Sequence, residues 1–176
     1  MKNIILIVLI FIFLPSCNNK VQEEKHLTFL EIPIAGNISY FKNKLQEKGF
    51  KDNSSEDFYY FNGKIDNSDV DVALSTTPIS KSVYMVSVLF TERPDTSSLK
   101  SEYNNLVKTL TIKYGKPTSI RTKIGVYNSD KFTTEWITKE GTIGCSIASK
   151  LNRCSVVYFD SKSSDLDYQE KYQNKL

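Results

Sequence analysis

Between Leu99 and Tyr114 the apolar residues Leu99, Tyr103, Leu106, Leu110 and Tyr114 step by 4, 3, 4 and 4. That spacing lays one apolar stripe along an α-helix, and a stripe of this length has to be buried against another layer. Gly115 closes the helix, because glycine reaches the left-handed conformation of a helix C-terminus, and Pro117 keeps it from resuming. The facing layer is supplied by segments with a period of two. Val86, Val88 and Phe90 fall on one side of Val83–Phe90, with Met85 and Leu89 on the other. Val70, Val72 and Leu74 alternate with Asp69, Asp71 and Ala73. Such alternation marks strands with one buried face. Phe58 to Ile65 reads as a third, aromatic-rich strand, joined to the Val70 strand by the turn Asp66-Asn67-Ser68-Asp69.

The same order of elements occurs twice. An earlier helix is predicted from about Ile38 to Lys48, capped by Asn37, with Ile38, Phe41 and Leu45 on one face and Gly49 at its end. Three strands follow it. After the second helix come Ser119–Val126, a weak strand signal, then Phe132–Thr138, Thr142–Ser149 and Cys154–Asp160. The predicted class is α+β: two αβββ-like units, about 27–94 and 95–161, in one domain spanning 27–161. Both helices pack on one face of an antiparallel sheet. Leu27 to Ile34 is an apolar lead-in that Pro33 excludes from a central strand. His26 sits at the edge of a polar tether and is expected to be solvated. Residues 162–176 form a polar tail in which Leu166, Tyr168 and Tyr172 allow a marginal helix.

The N-terminus follows a different rule. Ile4 to Leu14 is an unbroken apolar run of eleven residues behind Lys2. Spanning a bilayer takes about 20 residues, so the run matches the hydrophobic region of a secretory signal. It leads into Leu14-Pro15-Ser16-Cys17, which resembles a bacterial lipobox: an aliphatic residue, two small residues, then cysteine. Pro15 departs from the usual Ala, Ser or Thr. The resemblance implies cleavage after Ser16, diacylglycerol on the Cys17 thiol and acylation, such as palmitate, of the new terminus. More than one chain is what stable anchoring needs. Residues 1–16 are then a signal peptide and 17–26 a lipidated tether. The protein belongs in the cell envelope, expected at the outer membrane, facing either the periplasm or the surface. Loss of Lys2 lowers the formal charge from +3 to +2, and no basic run is present, so nucleic acid is not an expected partner.

With Cys17 given to lipid, Cys145 and Cys154 remain in a compartment where disulfides persist. A hairpin loop at Ser149-Lys150 sets the two opposite each other with Cα atoms about 4.5 Å apart, within bridging range. A loop at Leu151-Asn152 slides them apart, leaving two buried thiols. The disulfide is the preferred expectation.

Motif chemistry is sparse. The sequence contains no phosphate-binding glycine loop, His-Glu-x-x-His, Cys-x-x-Cys or Gly-x-Ser-x-Gly. Asp66, Asp69 and Asp71 lack the glycine and distal glutamate of a calcium loop and read better as turn and surface residues, with Asp71 toward solvent. Glu56, Asp57 and Glu135 could pair only if the fold brought them together. Aromatic residues offer the candidate binding surface: Tyr59, Tyr60 and Phe61 in succession, whose outward face is expected to be covered by the Leu27–Ile34 lead-in or else to bind, and the single Trp136, for which core packing is the favoured role. No catalytic residue, metal or cofactor is expected. The chain is similar to small bacterial lipoproteins with a lipobox, a short tether and one compact α+β domain. Its recurrence of elements is loosely similar to secreted β-lactamase-inhibitor proteins and small outer-membrane assembly lipoproteins, with no site residue to carry over. The expected function is a noncatalytic, membrane-anchored binding or envelope-assembly module. Its partners are the membrane, through lipid on Cys17, and an envelope protein or small ligand. The alternatives are a secreted-type inhibitor or ligand-capture protein and, behind it, an unfamiliar enzyme.

Overall fold

A computed structural model of the chain describes residues 25–56, 58–121, 133–148 and 151–173. The signal assigned to 1–16, residues 17–24 of the tether assigned to 17–26, and most of the weak strand at 119–126 lie outside the described residues. The fold is α+β; among the described residues it has three helices, an eight-stranded antiparallel sheet and a two-stranded hairpin.

The chain begins with the hairpin β1 (Thr28–Phe29) and β2 (Ile32–Pro33), followed by α1 (Ile38–Glu47). Four strands come next: β3 (Lys51–Asp52), β4 (Tyr59–Ile65), β5 (Ser68–Thr76) and β6 (Val83–Phe90). Then α2 (Thr96–Tyr114) precedes β7 (Ser119–Arg121), β8 (Thr133–Ile137), β9 (Gly141–Ala148) and β10 (Arg153–Asp160). The last element is α3 (Ser161–Gln173). The sheet order is β3-β4-β5-β6-β10-β9-β8-β7. From either edge the strands run inward in chain order and meet at the antiparallel β6–β10 pair, where Val156 lies opposite Val88. Each half is therefore one helix and four strands, not three. The extra strands, β3 and β7, are edge pieces too short for an alternating pattern to show in the sequence.

Local chemistry accounts for the boundaries. Asn37 accepts the Ser39 N–H at 2.8 Å and caps α1; Ile38, Phe41 and Leu45 face the sheet. Asp95 caps α2 by accepting the Ser98 N–H at 2.8 Å. The helix therefore starts at Thr96, three residues before its first apolar position, since Thr96, Ser97 and Ser98 add nothing to the stripe. Gly49 and Gly115 end the two helices at φ of 86° and 83°. Asp66 and Asn67, both at positive φ, form the two-residue β4–β5 turn, with Ile65 paired to Ser68. Gly63 serves a different need: a Cβ there would overlap the Phe50 ring, so only glycine lets Phe50 lie on β4.

Both α1 and α2 cover one face of the sheet, over a core that includes Phe41, Leu45, Phe61, Val72, Val86, Val88, Trp136, Ile143 and Val156. The lead-in joins this core instead of lying loosely on it: Leu27, Phe29, Ile32 and Ile34 are buried, and the Phe29 ring tilts against Tyr158 at 5.5 Å.

Two expectations about the chain ends are corrected. His26 is not solvated, because its Nδ1 donates to Asp160 Oδ1 at 3.0 Å. Asp160 is fully buried and also accepts the Leu27 N–H at 2.8 Å and the Ser163 N–H at 2.9 Å. One carboxylate thus fastens the start of the domain and caps α3. The polar tail in turn is a docked helix. Ser163 Oγ donates to Ile34 O, and the Glu170 carboxylate accepts the N–H groups of Ile79 and Ser80. α3 docks through polar groups, so hydrophobic periodicity understated it.

Candidate functional site

Between α2 and the β1–β2 hairpin, a cleft of roughly 770 Å³ lies over β6 and β10. Its floor is apolar: Phe29, Val88, Phe90, Leu106, Leu110, Val156 and Tyr158. One wall is α2. Ser97, Ser101, Asn105, Thr109 and Lys113 recur every fourth residue, so they line the wall in a single row. That row extends along about 24 Å of helix. The facing wall is the hairpin tip, Leu30 and Glu31, with Ile65, Asp66 and Ser68 of the β4–β5 turn. Arg93 and Glu102 close one end as an ion pair. An apolar floor beneath hydroxyl and amide groups suits a ligand with an apolar body and polar substituents along one edge. The rim carries charges of both signs and does not select a strongly charged ligand.

The aromatic candidates do not gather there. Trp136 is 1% exposed and its Nε1 donates to Gly115 O at 3.0 Å. Phe61 is buried in the opposite half of the sheet. Tyr59 packs against the core edge beneath Lys42 Nζ, 5.8 Å from the ring centroid. Tyr60 alone lies on the sheet face away from α1 and α2, stacked with Phe58 at 5.8 Å. The expected surface of Tyr59, Tyr60, Phe61 and Trp136 is therefore not a surface. Alternation turns neighbouring residues of a strand to opposite faces, and the single Trp fills the core. The Leu27–Ile34 lead-in covers the helix side of the sheet and leaves the Tyr60 side open.

Asp71 is corrected as well. It pairs with Arg153 at 2.6 Å, next to Asn62 and Tyr60. Burial raises its carboxyl pKa, but the hydrogen bonds from Arg153 and Tyr60 outweigh burial and leave it below the ordinary value. Asp69 pairs with Lys64, and Asp66 shapes the turn. Among the described residues no group of His, Cys, Asp or Glu side chains is placed to hold a metal ion. Glu135 on β8 accepts from Ser119, while Glu56 lies before β4; five strand spacings, about 24 Å, separate those strands. Asp57 lies outside the described residues.

The disulfide expectation is overturned by register. β9 and β10 pair Ala148 with Arg153, so residues 149–152 connect them, two more than the tight turn requires. Cys145 stands opposite Val156 and Cys154 opposite Ile147. The cysteines share the buried face as diagonal neighbours, and both are free thiols. Burial pushes both thiols up, Cys154 to about 12 with the Glu102 carboxylate adding to the effect. A thiol kept neutral is a poor nucleophile. Alkylation of the denatured chain without reductant should therefore add two groups, at Cys145 and Cys154. In the native chain both should react at least about a hundredfold more slowly than free cysteine. Peptide mapping that finds Cys145 linked to Cys154 contradicts this register.

Sequence reasoning missed the cleft. Its polar row on α2 has the spacing of any solvated helix face, and only the assembled gap between α2 and the β1–β2 hairpin distinguishes it. Among the described residues no helix is long and apolar enough to cross a membrane. Set against protein-family models, curated proteins and solved structures, the chain gives no match in any of the three.

Proposed function

We propose that this is a lipid-anchored protein of a bacterial cell envelope whose domain is a noncatalytic binding module, with its ligand held in the cleft over β6 and β10. The cleft carries the reading. It is a roughly 770 Å³ gap with an apolar floor, placed where the two halves of the sheet meet. The anchoring half of the proposal rests on Leu14-Pro15-Ser16-Cys17 behind an eleven-residue apolar run. The ligand is a small molecule with an apolar body or an apolar segment of an envelope protein. The cleft equally favours the second reading, a ligand-capture or inhibitor protein, and the identity of the occupant separates the two.

Leu106 is partly buried on the cleft floor, so Leu106→Trp should fill the cleft at little cost to the core. Native mass spectrometry of the chain extracted from its own envelope should show a bound mass that falls at least tenfold in Leu106→Trp. The same adduct in both proteins, or none in either, contradicts the cleft as the binding site.

A further inference from the structure

We propose that the end of the domain carrying α3 is a membrane-contact face, occupied by the surface of the bilayer that holds the Cys17 lipid; this rests on the anchored reading above. Position is the first argument. His26 is pinned to Asp160, the residue immediately before α3. Eight residues lie between Cys17 and His26, and the nine steps of extended chain span at most about 32 Å. The first turn of α3 therefore lies within one short tether of the bilayer.

The second argument is the polarity of α3, which runs opposite to that of a helix resting on a core. Its inward side is polar: Ser163 and Glu170 meet the domain through hydrogen bonds, and Asp167 is buried beside them, paired with Lys171 of the same helix. Its outward side shows Tyr168, 65% exposed, and Tyr172, 53% exposed, with ring centroids 4.5 Å apart. Tyrosine, apolar in its ring and polar at its tip, suits the headgroup boundary of a bilayer.

The third argument is that the apolar exposure continues across this end of the sheet. On the face away from α1 and α2, Met85 pairs with Phe159, Phe159 with Thr142 and Thr142 with Ile137. Ile137 is 63% exposed, and Phe159 meets Tyr84 edge-on. A row with three apolar side chains, Ile137, Phe159 and Met85, and one threonine thus leads from the outer strand toward α3 at the same end as Asp160. Lys171 pairs with Asp167, while Lys139 and Lys162 are exposed at this end in addition to the aromatic pair. The cleft residues Asp66, Phe90 and Arg93 belong to the opposite end of the sheet, about 23 Å away along β10. In this orientation the mouth of the cleft at that end points away from the membrane.

The test uses the mature lipoprotein in phosphatidylcholine nanodiscs, some containing spin-labelled phosphatidylcholine, with its acyl groups verified by intact mass. Amide NMR signals of Tyr168, Tyr172 and Ile137 should lose at least half their intensity, while those of Asp66 and Arg93 keep theirs. In Tyr168→Ser/Tyr172→Ser the loss at α3 should fall at least twofold with the melting temperature unchanged. A chain without acyl groups that stays off the discs overturns the anchored reading and this face with it. An acylated chain overturns the face alone if α3 keeps full intensity, if both ends of the sheet lose intensity equally, or if the serine variant behaves as the parent.

Discussion

Asp160→Ala should destabilise the domain by about 3–5 kcal/mol. The carboxylate is fully buried and accepts the backbone N–H groups of Leu27 and Ser163 as well as His26 Nδ1. Alanine leaves two buried backbone donors without partners, Leu27 N–H and the Ser163 N–H that Asp160 caps in α3, at about 1–3 kcal/mol each, and also removes the partner of His26. Asp160→Asn keeps one acceptor oxygen at nearly the same volume and should cost about half as much. The midpoint of a denaturant melt reads both. The loss should be accompanied by faster hydrogen exchange at Leu27 and in α3, because one side chain holds both. A midpoint for Asp160→Ala within about 0.5 kcal/mol of the parent contradicts this joint.

Cys17→Ala should abolish fatty-acid incorporation altogether. No other cysteine can take its place: Cys145 and Cys154 are buried inside the folded domain. In the proposed anchoring, the Cys17 thiol is the site of diacylglycerol transfer and cleavage after Ser16 follows from it. The variant should therefore retain its leader and run as the longer precursor. Growth with an alkyne-tagged fatty acid, followed by dye coupling and gel analysis, reads both effects. Equal labelling of parent and variant contradicts lipidation at Cys17.

Much of the architecture is legible in the residues because burial imposes a period. The stripe from Leu99 to Tyr114, the alternation through Val86, Val88 and Phe90, and the end signals at Gly49 and Gly115 each report a local constraint that the fold obeys. What stays hidden falls into three physical kinds. Elements of two or three residues, such as β3 and β7, are too short to display a period. α3 docks through the hydrogen bonds of Ser163 and Glu170, so an apolar pattern cannot reveal it. The third kind is register. Face parity correctly puts Cys145 and Cys154 on one buried side, but two added residues in the connecting turn move them out of opposition, and parity does not sense a shift of two. The candidate site belongs to none of these, because a cleft is the space between elements. Ser97, Ser101, Asn105 and Thr109 look solvated in the sequence, and they face a cleft only once β6, β10 and the β1–β2 hairpin are in place.

Photocrosslinking in the native envelope tests the central claim most directly. A photoreactive phenylalanine is placed at Asn105 on the cleft wall and, in a second chain, at Tyr60 on the open sheet face. Irradiation should give a discrete adduct from position 105 and none above background from position 60, and Leu106→Trp should suppress the adduct. An adduct from position 60 alone, or equal adducts from both positions, contradicts the cleft as the place where this protein binds.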